Sequence, residues 1–363
     1  MHRWRDLIVS AFITLVLLEA VLQVYYRVTV GSLLFDRMVI PIFVADPVRC
    51  YAVKPNLDYV HRTGEYAVRY QTDEQGFRVA ADSLAITADE VGDKMRVLYL
   101  GPSYAFGWGN ELADSYADLI SQLLSGAGHG VEALNLGTPG QPIANQLCWV
   151  AQEAKSFRPD LVIQTVFGRP GKVVKECNTN WCPEVKHGYL SNSDVSLNKR
   201  MSEVAKTSAI VFYGWYMTKR YMVAKHWEST DPEMSDRSAA ASVVNDDLFG
   251  SYAGYLAYVR ASLGYDVPVV FVFIPYSYTV RPADSGRWGI ADPRHAADIR
   301  VRTSAQIARL AEQGIWIVDP TDALVAADRN ERMFYFVDTH LTPAGNRIVA
   351  QEVARYVKRR IQR

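Results

Sequence analysis

Three residue types that together support nucleophilic catalysis stand far apart in this chain. Ser103 follows an apolar run, and Asp338 and His340 lie two residues apart just before the last helix-like segment. A serine hydroxyl is a weak nucleophile unless a histidine accepts its proton, and the histidine needs a carboxylate that holds its ring in one tautomer. We therefore predict Ser103 as nucleophile, His340 as general base and Asp338 as the group that orients the base.

The elements that must bring these residues together are regular from residue 96 onward. Five apolar runs are predicted as strands, at residues 96–100, 131–136, 161–167, 267–274 and 315–318. Amphipathic stretches between them are predicted as helices, at residues 114–124, 143–157, 247–263 and 294–313. A last helix is predicted after Thr342, which would cap it, with Pro343 in the first turn. This alternation is typical of a parallel sheet covered by helices on both faces.

The residues that follow the first three strands should meet at one edge of that sheet, because ligands bind outside the carboxyl ends of parallel strands. Ser103 follows the first strand, Gly137 the second, and Gly168 and Arg169 the third. The backbone N–H groups of Ser103 and Gly137 are predicted to donate to a developing oxyanion, since Gly137 has no side chain to block the approach.

Length and charge limit the class of protein. With 363 residues, of which 49% are hydrophobic, the chain can bury the core of one large α/β domain and carry an insertion. Lys plus Arg and Asp plus Glu both total 39, so the formal charge is zero. No general electrostatic attraction to nucleic acid follows from this composition, and we predict no nucleic-acid partner.

The N-terminus is predicted to be a membrane anchor, residues 1–30. Residues 7–25 are about the length that a helix needs to span the hydrocarbon layer. Glu19 near the centre costs about 2.5 to 3.5 kcal/mol, whereas the apolar side chains return about 4 to 7 kcal/mol. The alternative is a signal peptide, although Leu18, Glu19 and Ala20 form a poor cleavage site. Basic residues before the span predict a single pass through the inner membrane, with the N-terminus in the cytoplasm and the remainder periplasmic.

The rest of the chain divides into two predicted parts. Residues 31–93 form a juxtamembrane accessory segment rich in β-formers, and residues 94–363 form the main domain with an insertion at about 170–245. The insertion contains an aromatic and basic stretch at residues 212–227, too short and too charged to span a membrane. This stretch is a helix packed on the domain, a lid over the site or a contact with the membrane surface.

Four cysteines follow the predicted anchor, where an oxidising compartment favours disulfides. Cys177 and Cys182 are close in sequence, and we predict a disulfide between them that stabilises the fold by about 2 kcal/mol. Cys50 and Cys148 have no partner that the sequence identifies. Cys177, Cys182 and His187 lack a fourth ligand at a usual spacing, so we predict no metal.

Four sequence blocks resemble those of SGNH (GDSL-type) hydrolases, a family of serine esterases and acyltransferases. The blocks are VLYLGPSYAFGWGN with Ser103, LNLGTPGQP with Gly137, LVIQTVFGRPG, and VDTHLTPAGNRIVAQ with Asp338 and His340. They extend over roughly residues 96–360. The stretches at 54–56 and 75–78 are similar to a juxtamembrane segment of membrane-anchored members. The resemblance implies a three-layer αβα sandwich with a parallel, flavodoxin-like sheet, preceded by one transmembrane helix.

Two positions depart from the family pattern. Pro102 stands where the family has an aspartate, which removes a carboxylate and a backbone N–H beside the nucleophile. Arg169 stands where the family has an asparagine whose amide completes the oxyanion hole, and losing such a donor costs about 10²-fold to 10³-fold in rate. Arg169 therefore serves as a charged oxyanion donor, binds an acidic sugar or forms a surface ion pair.

The resemblance implies an extracytoplasmic serine esterase that needs no cofactor. Its expected substrate is an acyl ester, most simply an acetyl group on a cell-surface or exported polysaccharide. Its expected partners are an acylated carbohydrate, the membrane and other proteins of polysaccharide biosynthesis. Two alternatives remain open at this point. One is acyl transfer to a glycan hydroxyl by the same three residues, and the other is a catalytically degenerate protein that binds or assembles glycans.

Overall fold

The N-terminal part of the chain consists of one long helix and two β-hairpins. In the computed structural model, helix α1 (His2–Val30) precedes the antiparallel pair β1 (Phe43–Asp46) and β2 (Cys50–Val53) and the antiparallel pair β3 (Asp58–Arg62) and β4 (Ala67–Gln71). The structure describes residues 2–30, 40–63, 65–79, 94–125, 130–168, 170, 173–180, 182–186, 188–191, 208–211, 213–214, 248–288, 293–336 and 338–361.

The central sheet has five parallel strands in the described part of the chain. The remaining strands are β5 (Met95–Leu100), β6 (Val131–Asn135), β7 (Leu161–Gly168), β8 (Glu184–Lys186), β9 (Tyr189–Ser191), β10 (Val269–Pro275) and β11 (Ile317–Val318). Strands β8 and β9 form a separate antiparallel pair, and the sheet order is β11-β10-β7-β5-β6. The chain thus moves from β5 outward to β6 and then crosses to β7 on the other side of β5. This is the flavodoxin-like order, as predicted.

Helices cover both faces of this sheet. They are α2 (Ser103–Phe106), α3 (Tyr116–Ser125), α4 (Ile143–Gln152), α5 (Ala154–Phe157), α6 (Leu248–Leu263), α7 (Ser277–Val280), α8 (Pro293–Glu312), α9 (Thr321–Ala327) and α10 (Pro343–Ile361). Alternation along β5 decides which layer each side chain joins, because successive residues of a strand point to opposite faces. Val97 and Tyr99 pack with α3 and α10, whereas Leu98 and Leu100 pack with α4 and α6.

The predicted start of the last helix is confirmed. Thr342 lies just before α10, and its Oγ1 accepts a hydrogen bond from the N–H of Gly345 at 3.2 Å. Such a bond satisfies one of the N–H groups that have no partner within the first turn of a helix. Thr342 is also the end of the loop that carries Asp338 and His340. The cap therefore fixes the point at which this loop joins α10.

The described part of the segment between α1 and β5 packs directly on the main domain. Tyr51, Tyr66 and Tyr70 share a buried cluster with Phe106 and Trp108, which follow the predicted nucleophile. The accessory hairpins therefore form one hydrophobic core with the turn that carries Ser103.

A buried arginine strengthens this attachment. The guanidinium of Arg78 donates hydrogen bonds to the backbone carbonyl groups of Phe106 at 2.7 Å, of Gly107 at 2.8 Å and of Asn110. A cation at the C-terminal end of a helix satisfies carbonyl groups that have no partner within the helix. Arg78 thus ties the end of α2 to the segment between α1 and β5.

The predicted disulfide between Cys177 and Cys182 is wrong. The structure pairs Cys148 with Cys177 and Cys50 with Cys182, with Cα–Cα distances of 4.5 and 5.1 Å. Each bridge joins the insertion to a different element, α4 in the first case and β2 in the second. The short spacing of Cys177 and Cys182 was misleading because folding brings each of them closer to a distant cysteine. Cys177 and Cys182 are thus not metal ligands, and His187 lies outside the described residues.

The acidic residue within the apolar first helix has hydrogen-bond partners. Residues Trp4–Val28 of α1 are long and apolar enough to cross a membrane, with a mean hydropathy of 2.4, a property that signal sequences share. Glu19 accepts hydrogen bonds from the N–H groups of Ala209 at 2.7 Å and Ile210 at 3.0 Å. Tyr213 also packs near Tyr25, with ring centroids 5.9 Å apart. The rest of the predicted stretch 212–227, apart from residues 213–214, lies outside the described residues.

Candidate active site

The predicted nucleophile sits on a tight turn at the end of β5. Ser103 is the first residue of α2 and is half-buried, with Pro102 at the N-cap position. Gly101 passes so close to β7 that a Cβ on it would lie 2.6 Å from the side chain of Thr165. A glycine is therefore required for the turn, which places Ser103 between the carboxyl ends of β5 and β7. In a flavodoxin-like sheet this crevice is where ligands bind.

The fold brings the three predicted residues together. His340 Nε2 lies 2.7 Å from Ser103 Oγ, although the two residues are 237 positions apart. The other ring nitrogen, His340 Nδ1, is hydrogen-bonded to Asp338 Oδ1. The His340 side chain is 20% exposed and that of Asp338 only 2%, so the imidazole is reachable from solvent whereas the carboxylate is not. This geometry permits proton transfer from the serine to the imidazole, with the carboxylate fixing the ring.

Two further side chains hold Asp338 as an anion. The Tyr66 hydroxyl donates to Asp338 Oδ2 at 2.5 Å, and Trp108 Nε1 donates to the same oxygen at 3.0 Å. Burial by itself would raise the pKa of Asp338, but the hydrogen bond and charge of His340, followed by the bonds from Tyr66 and Trp108, outweigh it and lower the pKa. Burial and the nearby Asp338 raise the pKa of Tyr66 well above its usual range, so its hydroxyl keeps its proton.

The loop that carries Asp338 is anchored through its backbone. Glu65 accepts hydrogen bonds from the N–H groups of Phe336 and Asp338, at 2.5 and 2.8 Å. Thr339 has a positive φ of 67°, an uncommon conformation for a non-glycine residue. The Tyr104 hydroxyl donates to the Thr339 carbonyl at 3.2 Å. Contacts on both sides thus keep Asp338 and His340 facing Ser103.

A row of aromatic rings extends outward from His340. The Tyr104 ring lies 4.7 Å from the imidazole and 4.8 Å from the Phe167 ring, and Phe167 in turn lies 5.0 Å from Tyr276, all measured between centroids. Phe167 is 37% exposed. Together these rings form an apolar wall that begins beside the imidazole and reaches the surface.

The predicted oxyanion donors differ in their surroundings. The Ser103 N–H has no hydrogen-bond acceptor within the described part of the chain. The Gly137 N–H donates to Asn135 Oδ1 at 2.8 Å, so the predicted role of Gly137 requires that bond to be exchanged for one to substrate. A side chain at Gly137 would meet the backbone of Phe106 at 2.3 Å, which explains the glycine through close packing. Arg169 lies outside the described residues, and its oxyanion role stays a prediction.

A buried histidine beside the site should make stability depend on pH. Burial lowers the pKa of His61 to about 4; the charge of Asp338 acts against this, and that of His340 adds to it. In the unfolded chain a histidine takes up its proton near pH 6.5, so between these values only the unfolded state is protonated. Lowering the pH from 7 to 5 should therefore reduce the free energy of unfolding by about 2 kcal/mol through this group. The loss should be complete below about pH 4.

Urea unfolding of the full chain in detergent at pH 7 and pH 5 measures this effect. The His61→Gln variant should lose about 2 kcal/mol less than the wild type over that interval. His295→Gln is the control, because it removes a histidine that is only partly buried, on α8. Equal losses in the wild type and in His61→Gln would show that His61 does not couple folding to pH.

Several contributors to the site were not foreseen. Tyr66 and Glu65 come from the accessory segment, for which no catalytic contribution was predicted. Trp108 and Tyr104 lie within the first sequence block. Their closeness to Ser103 in sequence could have identified them as neighbours of the site. No spacing rule connects Tyr66 with Asp338, since the two are 272 positions apart.

One family model matches the C-terminal part of the chain. Residues 259–363 match a family model described as "SGNH hydrolase-like domain, acetyltransferase AlgX". No curated protein matches the chain.

Solved structures that resemble the chain include esterases and lipases. A catalytic mutant of the acetylxylan esterase Axe2 from Geobacillus stearothermophilus is 13% identical, with 74% of this chain and 95% of that one covered and a TM-score of 0.39. A lipase/acylhydrolase from Enterococcus faecalis is 13% identical, with 73% and 96% covered and a TM-score of 0.38. A G-D-S-L family lipolytic protein from Veillonella parvula is also 13% identical, with 73% and 99% covered and a TM-score of 0.38.

The family match covers the last helix and the loop that presents Asp338 and His340. The order of the five parallel strands is the one that the sequence blocks implied. The C-terminal part of the chain, residues 259–363, is thus similar to an SGNH hydrolase-like domain.

Proposed function

We propose that this protein is an extracytoplasmic serine enzyme that attacks acyl esters through Ser103. The observation that carries the proposal is the hydrogen-bonded series from Ser103 Oγ to His340 Nε2 and from His340 Nδ1 to Asp338. In the first step His340 takes the serine proton while Oγ attacks the acyl carbon. The protonated imidazole then gives that proton to the departing alkoxide, which leaves an acyl-enzyme on Ser103.

The acyl-enzyme has two fates that the same residues serve. If water attacks, His340 takes its proton and the product is a free carboxylic acid, so the protein is an esterase. If a sugar hydroxyl attacks instead, the acyl group moves to the glycan. The matching family model is described as an acetyltransferase, which supports transfer to a glycan and an acetyl group as the group transferred. We propose acetylated cell-surface or exported polysaccharide as the substrate class, with other polysaccharide-biosynthesis proteins as partners.

Labelling with a fluorophosphonate probe tests the proposal directly, because the probe reacts with an activated serine. The full chain in detergent should be labelled, peptide mapping should place the label on Ser103, and Ser103→Ala should abolish it. A second assay separates the two fates: a small acetyl ester is supplied with and without an oligosaccharide acceptor. Acetylated oligosaccharide in the products indicates transfer, and acetate alone indicates hydrolysis. An unlabelled wild type would favour a protein that binds glycans without turning them over.

We also propose that α1 anchors the domain in the inner membrane, with the domain on the periplasmic side. Both disulfides support an oxidising compartment, since such bonds rarely persist in the cytosol. The protein should stay with membranes through a carbonate wash, and a reporter fused after Arg363 should behave as exported. A soluble product that lacks about the first 20 residues would identify α1 as a cleaved signal sequence instead.

A further inference from the structure

The hairpin formed by β3 and β4 reaches the buried carboxylate of the site from outside the main sheet. Tyr66 lies in the turn just before β4 and is 8% exposed. Its hydroxyl and the indole N–H of Trp108 share one oxygen of Asp338, and the other oxygen is left for His340. One carboxylate oxygen is thus held by the surrounding side chains, and the other binds the catalytic imidazole.

The tyrosine is itself held in place by rings on two sides. Its centroid lies 5.0 Å from that of Tyr335 and 5.2 Å from that of His61. The neighbouring Glu65 binds the backbone of the Asp338 loop, so hairpin and loop are joined at two points. These contacts fix the direction from which the hydroxyl approaches the carboxylate.

We infer that Tyr66 is a positioning residue that sets the basicity of Asp338 and, through it, the proton affinity of His340. The inference rests on the proposed function for its catalytic meaning, but its physical basis is independent of turnover. A carboxylate that accepts fewer hydrogen bonds attracts an imidazolium more strongly. With Tyr66 in place, the carboxylate therefore holds the protonated imidazole less tightly than it would without the tyrosine hydroxyl.

The inference also assigns a role to the accessory segment. The main domain supplies Ser103, His340, Asp338 and Trp108. The further donor to the carboxylate, the Tyr66 hydroxyl, comes from the segment before β5. Several other titratable groups face Asp338 or His340, so the test must separate Tyr66 from them. They are His61, Glu65, Tyr70, Tyr104 and Tyr335.

The test is an NMR titration of the histidine rings in the ¹³C-labelled full chain in detergent. The His340 signal is identified by its disappearance in His340→Gln. In Tyr66→Phe, which keeps the packed ring and removes only the hydroxyl, the midpoint of the His340 titration should rise by about half a unit to one unit. Tyr335→Phe is the matched control, because its hydroxyl donates to the Gly109 carbonyl and not to Asp338. The control should leave the midpoint unchanged.

A second substitution should shift the His340 midpoint in the opposite direction. Placing 3-fluorotyrosine at position 66 makes the hydroxyl a stronger donor without removing it, so the His340 midpoint should fall. If the wild type turns over an ester, the acid limb of its kcat/KM profile should move with these midpoints while KM stays constant.

The outcomes are distinct. Identical midpoints in the wild type, Tyr66→Phe and the fluorinated protein would overturn the inference even if the wild type is an active esterase. Shifted midpoints in a protein that no fluorophosphonate labels would keep the inference and remove the proposed function. An equal shift in Tyr335→Phe would also overturn it, because the effect would then belong to the aromatic cluster as a whole.

Discussion

Replacing Ser103 by alanine should lower kcat for a small acetyl ester by about 10⁴-fold or more, and His340→Ala should have a similar effect. The reason is that the hydroxyl and the imidazole, 2.7 Å apart, act in one proton-transfer step, so losing either stops the same step. The double variant should be no worse than the more damaged single variant. Asp338→Asn should also lose about 10⁴-fold, since an amide favours the wrong tautomer of the ring.

Matched controls separate this result from general damage. Ser156→Ala removes an exposed serine hydroxyl on α5 that donates to the Glu153 carbonyl, and His295→Ala removes a histidine from α8. Both should keep wild-type rates. The mechanism requires a neutral imidazole, because only that form can accept the serine proton. Asp338 stays ionised beside the ring, since the pKa of this carboxyl is lowered.

Two other results would change the conclusion. If Ser103→Ala and His340→Ala keep full activity on the ester, Ser103 is not the nucleophile. If the wild type is inert and Ser103→Ala still binds an acetylated oligosaccharide as the wild type does, the domain serves in binding or assembly. Pro102, which replaces the usual aspartate beside the nucleophile, provides a physical reason for the second result.

Removing the disulfides should lower the free energy of unfolding more than the change of pH that acts through His61. The Cys148–Cys177 bridge closes a loop of 29 residues and the Cys50–Cys182 bridge one of 132 residues. On a chain-entropy basis these bridges stabilise by at most about 4 and about 5 kcal/mol, and about 2 to 4 kcal/mol each is typical. Because a domain is stable by only about 5 to 15 kcal/mol, reduction of both should unfold much of the protein at physiological temperature.

Paired serine substitutions measure each bridge without leaving a reactive thiol. Cys148→Ser with Cys177→Ser and Cys50→Ser with Cys182→Ser should both lower Tm, the second pair more because its loop is longer. Non-reducing peptide mapping of the wild type should find only these two linkages. A peptide that joins Cys177 to Cys182 would contradict the structure and restore the pairing that the sequence suggested.

Periodic patterns were sufficient to predict the main sheet. The five strands and the helices around them appear within a few residues of the predicted ranges, because a parallel sheet needs continuous apolar strands and each helix needs one apolar face. The same reasoning placed Ser103 at the carboxyl end of β5, where the fold has it. Asp338 and His340 were found because their block lies beside a recognisable helix start at Thr342.

Patterns along the chain failed wherever two distant segments had to meet. The disulfide between Cys177 and Cys182 was mispredicted, because a short spacing in sequence does not show which Cα atoms come within about 5.5 to 6 Å in space. The contact of Glu19 with residues 208–210 could not be seen either, so the acid looked like a defect in an apolar helix. Gly137 was assigned a donor role from its lack of a side chain, whereas the structure first shows close packing against Phe106.

The sequence alone determined the class of fold, the anchor-like first helix and the three residue types needed for acyl chemistry. These depend on local composition and on the spacing of apolar residues, both of which can be read from short stretches of sequence. Only the tertiary structure decided that the accessory hairpin supplies Tyr66 to Asp338, which cysteines pair, and that Arg78 fastens the end of α2. Such contacts join segments far apart in the chain, and their geometry depends on how the layers pack rather than on any local pattern.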